Sequence, residues 1–250
     1  MPDWMSPESL TQQTAGIVNL THVFAGIYLW EVLMSLTFEW EYLTRRRKFK
    51  WPMVCYFLVR YVALSAMVGS GLDCKSFFTF LQMAGNCARG LATINLALRT
   101  IAVWQRDRYI VVGIVLLILG HWSLIFQGVL LEAEEVPGQG CQIVHTNTKI
   151  LTADFVYSMI FDLIILLLTA YKVLQLKTQS GLVSLLFYDG LIYFLCAFTA
   201  NLLAAIFMIL DLSPVMSIMF NVPAVVVCAI ASTRAVRSLA NYTNSGPNVL

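Results

Sequence analysis

The chain has 250 residues, which is the length of one domain or at most two. Only 12% of its residues are charged, against roughly 25% in soluble domains, while 59% are hydrophobic. The mean hydropathy is +0.75. So few polar residues cannot cover the surface of a soluble protein of this size, so the composition predicts a surface that faces lipid. The net charge of +2 is too small to suggest a nucleic-acid partner.

The N-terminal segment, 1–15, carries no basic flank of the kind that precedes a secretory signal, and the apolar stretch after it is too long for a signal peptide. We therefore expect that stretch to remain as the first membrane span. A span needs about 20 mostly apolar residues. Pro52 and Pro214 stand where helices are expected to begin, and Pro223 predicts a kink in the middle of the last span. The fold class is thus predicted to be all-α, a polytopic membrane protein with seven transmembrane helices over 16–240 and a tail over 241–250. The predicted spans are 16–42, 52–70, 75–104, 109–131, 150–173, 183–210 and 214–240.

Lysine and arginine are distributed unequally between the loops on the two sides of these spans. One side receives eleven of them and the other receives two. Because cytoplasmic loops carry the excess of basic residues, the N-terminus is predicted to lie outside and the C-terminus in the cytoplasm. The eleven are Arg45, Arg46, Arg47, Lys48, Lys50, Arg106, Arg108, Lys172, Lys177, Arg234 and Arg237, and the two are Lys75 and Lys149.

Two of the six cysteines, Cys74 and Cys141, fall on the outer side of this topology. A disulfide between them and a pair of free thiols are both open, since the outer compartment is oxidising. No spacing typical of a zinc site occurs, and the sequence contains no nucleophile elbow, phosphate-binding glycine loop or buried lysine for a retinal Schiff base. We therefore predict no metal site and no cofactor. His121 in the fourth span is predicted to be a packed, hydrogen-bonded histidine.

Ionisable residues inside the spans are the strongest functional signal, because each is costly in a bilayer. At a rise of about 1.5 Å per residue, Glu31, Arg60, Arg89 and Asp162 reach similar depths near the middle of the membrane. Their formal charges sum to zero, so we expect the four to converge. Two interpretations stay open: a neutral hydrogen-bonded network that only fixes the order of the helices, or a polar cavity for a ligand, a proton or an ion. The predicted network comprises Glu31, Arg60, Arg89, Asp162, Asp189, Tyr193 and Asn201, and Glu39 and Asp154 are further acids within spans.

Three stretches carry a resemblance to a known family: 39–42 running into the arginine cluster and on to 57–61, then 98–108, and then 189–194 leading to 200–202. Their order and spacing resemble the fungal integral-membrane family called domain of unknown function 6533, found mainly in mushroom-forming lineages. Val59 stands where that family usually has Asn, and Ile101 and Val103 replace aromatic and Leu positions. The resemblance implies seven helices, and it supplies no activity.

Three functions remain open from the sequence. The first is a receptor-like protein or a binder of small ligands, with membrane lipids and a small apolar ligand as partners. The second is a membrane-embedded enzyme similar to small fungal terpene cyclases, in which Glu31, Asp162 or Asp189 would protonate an apolar substrate. The third is a transporter or channel, for which Pro223 is one candidate helix break.

Overall fold

The computed structural model describes residues 7–46, 51–68, 74–127, 131–136, 140–146, 148–176, 181–210 and 214–245. Within these ranges the chain is helical apart from one two-stranded sheet, and helix lies in each of the seven predicted stretches. In chain order the elements are α1 (Pro7–Met34), α2 (Leu36–Leu43), α3 (Pro52–Val68), α4 (Cys74–Val103), α5 (Arg108–Gln127), β1 (Leu131–Val136), β2 (Gly140–Thr146), α6 (Thr148–Leu176), α7 (Gly181–Leu210), α8 (Pro214–Ile218) and α9 (Asn221–Ser245).

Among the residues that the structure describes, five helical segments are long and apolar enough to cross a membrane. The chain is therefore an integral, multi-pass membrane protein, as its composition predicts. A sixth helical segment, Pro52–Ala66, is apolar but shorter. The five segments are Ala15–Met34, Arg108–Gln127, Lys149–Gln175, Gly190–Leu210 and Val215–Asn241.

Helix α4 lies in the interior of the bundle, in contact with α3, α5, α6, α9 and β1. Its small residues Ala84, Ala88 and Ala92 are all buried, which allows neighbouring helices to approach closely. The same helix buries Asn86, Arg89, Thr93, Asn95, Arg99 and Thr100. Helix α4 is thus surrounded by protein, and this explains how a helix with so many polar residues is accommodated.

Helix α5 is the opposite case, because most of its surface faces outward. Val112, Leu116, Leu119 and Phe126 are exposed, and His121 is its buried polar residue. An apolar outer face with one inward polar side chain is what a lipid-facing helix requires.

Two of the predicted spans are interrupted. The first breaks at Ser35, between α1 and α2, and the last breaks at Met219 and Phe220, between α8 and α9. Pro223 is the third residue of α9. The predicted kink is thus found as a break three to four residues before Pro223 and nearer the start of the span than its middle, since Pro223 has no N–H to donate to the carbonyl four residues earlier.

A hairpin that the sequence analysis did not predict joins α5 to α6. Helix α5 ends at Gln127, four residues before the end of the predicted span, and β1 then pairs with β2 in antiparallel fashion. Strand β1 contacts α4, whose first residue is Cys74, and Cys141 lies in β2 opposite Glu135. The side chains of both cysteines lie outside the described residues, so the disulfide stays a prediction.

Candidate functional site

The first polar group joins the first and last helices of the bundle. The carboxylate of Glu31 on α1 accepts a hydrogen bond from Nε of Arg234 at 3.0 Å. It also forms ion pairs with Nη2 of Arg234 and with Nη2 of Arg237, both on α9. Glu31 is buried, whereas 51% of the Arg234 side chain is exposed. Arg234 and Arg237 are three residues apart and so lie on one face of α9, which explains why both reach the same carboxylate.

Arg60 of α3 enters the first helix where it breaks. Ser35 Oγ donates to the carbonyl of Glu31, and the backbone N–H of Ser35 bonds to Val32 at 3.3 Å. The guanidinium of Arg60 donates to the carbonyl of Val32 and to Ser35 Oγ. A side chain inserted into the backbone hydrogen-bond ladder, together with a serine bonded back to its own helix, is a sufficient cause for the break.

Glu39 of α2 completes this group. Its Oε1 lies 2.5 Å from Nε of Arg60, and it accepts hydrogen bonds from the hydroxyls of Tyr56 at 3.3 Å and Tyr61 at 3.0 Å. Each carboxylate oxygen of Glu39 therefore has a donor. We call Glu31, Glu39, Arg60, Arg234 and Arg237 the inner charge cluster.

A second group lies between α4, α5 and α6. Arg89 Nη2 donates to Asp154 Oδ2 at 2.7 Å and to Asn86 Oδ1 at 2.6 Å. The guanidinium also lies over the ring of Phe155, 3.8 Å from its centroid. His121 Nε2 is 2.8 Å from Ser158 Oγ and 3.4 Å from Asp154 Oδ1. All of these polar residues are buried, and we call Asn86, Arg89, His121, Asp154 and Ser158 the core polar cluster.

The serine, histidine and aspartate of the core polar cluster are the residue types of a hydrolytic triad, but their geometry is different. In a triad the serine and the carboxylate bond to opposite nitrogens of the imidazole. Here Ser158 and Asp154 both approach Nε2, while Nδ1 faces Thr93 Oγ1 at 3.4 Å. The arrangement is therefore a packed, hydrogen-bonded histidine, as predicted, and not a nucleophile with its base.

A third group links α6, α7 and α9. Asn201 Nδ2 donates to Asp162 Oδ2 at 2.6 Å and lies 3.4 Å from Cys228 Sγ. Asp162 Oδ1 and Asn201 Oδ1 have no hydrogen-bond donor among the described residues. Likewise, no cation of the described part of the chain is within ion-pairing distance of Asp162. Asp162 is thus held by an amide rather than by a base.

The four charges that the sequence analysis expected to converge are thus distributed over three groups. Glu31 and Arg60 belong to the inner charge cluster, Arg89 pairs with Asp154, and Asp162 pairs with Asn201. Arg60 and Arg89 each have an acidic partner, but these partners are not among the four residues expected to converge. Depth in the membrane does not decide pairing, because the side chains must also lie on helix faces that meet.

Of the two remaining predicted residues, Tyr193 has a described side chain and Asp189 does not. Tyr193 is half-buried, packs against the main apolar core and lies near enough to Arg234 to interact with it electrostatically. The side chain of Asp189 is outside the described residues, so its place in the network stays a prediction.

Its neighbour Gly190 is described: a Cβ there would stand 2.0 Å from Nη2 of Arg99. Arg99 itself donates from Nη1 to the carbonyl of Ala235 on α9 at 3.0 Å.

Sequence reasoning missed the roles of Arg234 and Arg237, which it assigned to a loop side, although their spacing of three on an apolar helix was a usable signal. It named Glu39 and Asp154 as acids within spans but did not predict that they pair with Arg60 and Arg89. Within the described ranges, no three or more His, Cys, Asp or Glu side chains are grouped so that they could hold a metal ion.

Comparison with protein-family models gives no match, and comparison with curated proteins gives none either. The functional argument therefore rests on the contacts of this chain.

Proposed function

We propose that the chain is a seven-span membrane protein with its N-terminus outside, and that it acts as a receptor-like protein for a small, largely apolar ligand. Helices α3 and α4 supply the two spans beyond the five apolar ones. Helix α3 is about 25 Å long and α4 about 45 Å, so both approach or exceed the thickness of the hydrocarbon core. The polar residues of α4 do not speak against a span, since they are enclosed by protein.

The directions of the helices support seven spans. Glu31 of α1 meets Arg234 of α9, and Arg99 of α4 meets Ala235 of α9, each in the C-terminal part of its helix. Thr100 of α4 likewise meets Thr169 of α6, 2.8 Å between hydroxyls. Helices α1, α4, α6 and α9 therefore run the same way, as the odd-numbered spans of a seven-span bundle must.

The exposed basic residues support the orientation. Arg45 and Arg46 follow α2, Arg106 follows α4, and Arg108 is the first residue of α5; all four are exposed. They gather at the end of the bundle where the inner charge cluster lies. By the rule that basic loops stay inside, this end is cytoplasmic.

The observation that carries the receptor-like proposal is the ion pairing of Glu31 with Arg234 and Arg237. This contact ties the first span to the last. Arg234 is half exposed on the surface of the bundle, and an arginine in the cytoplasmic half of a span extends toward the aqueous interface, so we infer that water and salt reach this pair. An ion pair of this kind stabilises weakly compared with a sealed one. Separating the first and last spans at this contact therefore costs less free energy than separating the helices of the sealed core. A receptor needs such a movable region, because a ligand signals by shifting the balance between two arrangements of the bundle.

The proposal is tested by a distance measurement in lipid nanodiscs. Spin labels at Thr44, after α2, and at Ser238, on α9, report the separation of the two helix ends without replacing a member of the cluster. We expect one short distance in the parent protein and an added, longer component in the Glu31→Gln variant. A sterol and a terpenoid alcohol, tested as probes, should shift the balance between the two components if either represents the ligand class.

Asp107→Asn is the matched control, because it also changes a carboxylate to an amide but lies outside the cluster, where Asp107 caps α5 through a 2.9 Å bond to the N–H of Tyr109. Its distance distribution should equal that of the parent. An unchanged distribution in Glu31→Gln, together with no small molecule in extracts of the purified protein, would contradict the receptor-like proposal.

A membrane-embedded acid catalyst is the second candidate, and Asp162 favours it. Of the described candidate acids, Glu31 is held by two arginines, whereas Asp162 has an amide partner. The test is incubation with an unsaturated polyprenyl substrate: cyclised product from the parent protein and none from Asp162→Asn would support an enzyme. No product from either would leave the receptor-like proposal standing alone.

Kinship with the fungal family named above is a further part of the proposal. Residues that carry the resemblance make interior polar contacts: Glu39 pairs with Arg60, Arg99 crosses Gly190, and Asn201 holds Asp162. A set of sequences from that family tests this, since partners in contact should change together. Independent variation at Glu39 and Arg60 would argue against it.

A further inference from the structure

The pairing of Asp162 with Asn201 leaves two oxygen atoms without donors. Asn201 uses Nδ2 to donate to Asp162 Oδ2 at 2.6 Å. The other oxygen of each side chain, Oδ1 in both cases, receives no hydrogen bond from the described residues, although both side chains are buried. Two neighbouring buried acceptors need at least one donor between them, because an unmade hydrogen bond costs free energy in the interior.

The charges around Asp162 give a second reason to expect a proton between Oδ1 of Asp162 and Oδ1 of Asn201. The groups that face Asp162 come from three helices: Arg89 of α4, Asn201 of α7 and Cys228 of α9. The charge of Arg89 is already met by Asp154 at 2.7 Å, and His121 of α5 approaches Asp154 rather than Asp162. An ionised Asp162 would therefore be a second buried carboxylate whose partner is a neutral amide. A buried carboxylate without a cation takes up a proton and becomes neutral.

We propose that Asp162 is a proton-binding site within the bundle, with the proton carried on Oδ1 and shared with Oδ1 of Asn201. One proton satisfies both orphan oxygens and closes a cyclic pair between a carboxylic acid and an amide. It also removes the surplus negative charge. The bound species is thus a single proton, and water entering the bundle is the base that accepts it when the O–H bond breaks.

Loss of this proton changes the electrostatic surroundings of Arg89, which retains unused donors. Its Nη2 is taken by Asp154 and Asn86, whereas Nε and Nη1 have no acceptor among the described residues. Asp154, Ser158 and Asp162 are spaced by four residues, so both acids lie on one face of α6. An ionised Asp162 lies about 12 Å along α6 from Asp154, so it would attract this guanidinium only through a long-range electrostatic interaction.

Infrared spectroscopy in lipid nanodiscs at neutral pH tests the proposal. A protonated carboxylic acid has a carbonyl band separate from that of a carboxylate, and this band moves when the proton is replaced by deuterium. We expect the band in the parent protein, its loss in Asp162→Asn, and its retention in Glu31→Gln, which removes an acid held by two arginines. Absence of the band from the parent, or its persistence in Asp162→Asn, would overturn the proposal.

A second variant covers the case in which Asp162→Asn fails to fold. Asn201→Leu keeps the acid but removes the amide oxygen that shares its proton, so the band should move to higher frequency. An unmoved band would show that the proton is not shared with Asn201 and would overturn that assignment.

Stability gives an independent readout of the same proton. The folded state keeps the proton above about pH 4, where an ordinary carboxyl group of the unfolded chain loses it. The unfolding midpoint of the parent should therefore fall as the pH is raised from about 4 through neutral, until the folded site also loses its proton. Asp162→Asn carries a neutral amide in place of the acid and should lose this part of the pH dependence. Identical pH dependence in parent and variant would contradict the proposal.

Discussion

The inner charge cluster and the core polar cluster contain the same kinds of ionic group in different surroundings. In the core polar cluster Arg89 and Asp154 are both sealed from solvent, whereas in the inner charge cluster Glu31 is buried but Arg234 is half exposed. A sealed pair must stay together, because separating it leaves an uncompensated charge in the interior. A pair that reaches the surface can part, since water takes over its interactions. We therefore propose that the core polar cluster fixes the order of the helices and that the inner charge cluster permits movement.

Breaking the sealed pair should have the largest effect. Arg89→Met or Asp154→Leu leaves one buried charge alone, which we expect to lower the free energy of unfolding by about 3–5 kcal/mol. Titration with a denaturing detergent measures this. The double variant should recover most of the loss, because an apolar pair needs no compensation. A loss below about 1 kcal/mol in both single variants would remove the distinction between the clusters.

Gly190→Ala tests a contact that belongs to neither cluster. The new Cβ would stand 2.0 Å from Nη2 of Arg99, so the guanidinium must leave its place beside the carbonyl of Ala235. We expect a loss of about 1–3 kcal/mol in the free energy of unfolding, as in other overpacked interiors. Gly113→Ala on α5 is the matched control, since nothing lies within 4 Å of that position. The control should be neutral or stabilising by up to about 1 kcal/mol, and equal losses in the two variants would contradict the account of Arg99.

Glu31→Gln breaks the exposed pair and should cost less, about 1–2 kcal/mol, because Arg234 and Arg237 can turn toward water. The effect should also shrink when salt is added, while that of Asp154→Leu should not, since mobile ions do not reach the sealed pair. Unfolding measured at low and high salt checks this. A salt-independent loss in Glu31→Gln would mean that the inner charge cluster is sealed as well.

The smallest effect is expected for Tyr61→Phe. It removes a hydroxyl that lies 3.0 Å from Glu39 Oε2 on a half-exposed ring, while Tyr56 still donates to the same carboxylate. The expected loss is about 0.5–1 kcal/mol. Tyr157→Phe removes a comparable hydroxyl bond, 2.9 Å to the carbonyl of Leu117, and is the control outside the cluster. A loss for Tyr61→Phe that exceeds that of Glu31→Gln would reverse the assigned order.

The sequence predicts the helices of this fold well, because an apolar stretch of span length has few other stable states in a bilayer. Helix α5 shows this most clearly, since its composition and its outward face agree. Helix α4 is less apolar, and only its position inside the bundle explains its polar residues. The hairpin between α5 and α6 arises from pairing of two short segments, 131–136 and 140–146, neither of which is long enough to give a hydropathy signal of its own.

The candidate site was predictable in its residues but not in its pairs. Burial of an ionisable residue can be read from its depth in a span, and this correctly named Glu31, Arg60, Arg89 and Asp162 as buried. The partner of a buried ionisable residue depends on how its helix is rotated about its axis. It also depends on helix breaks such as that at Ser35, which change the direction in which the following side chains point. The pairing of Glu31 with Arg234, 203 positions away, is set by the closure of the bundle and has no local signature.

Hydrogen–deuterium exchange of the protein in lipid nanodiscs tests the difference between the two clusters most directly. Backbone amides of 32–39, around the break that Arg60 enters, should exchange faster than those of 86–100 in α4, and Glu31→Gln should widen the gap by speeding only the first segment. Equal protection of the two segments, or faster exchange in α4, would contradict the claim that the helices around the inner charge cluster move while those around the core polar cluster stay fixed.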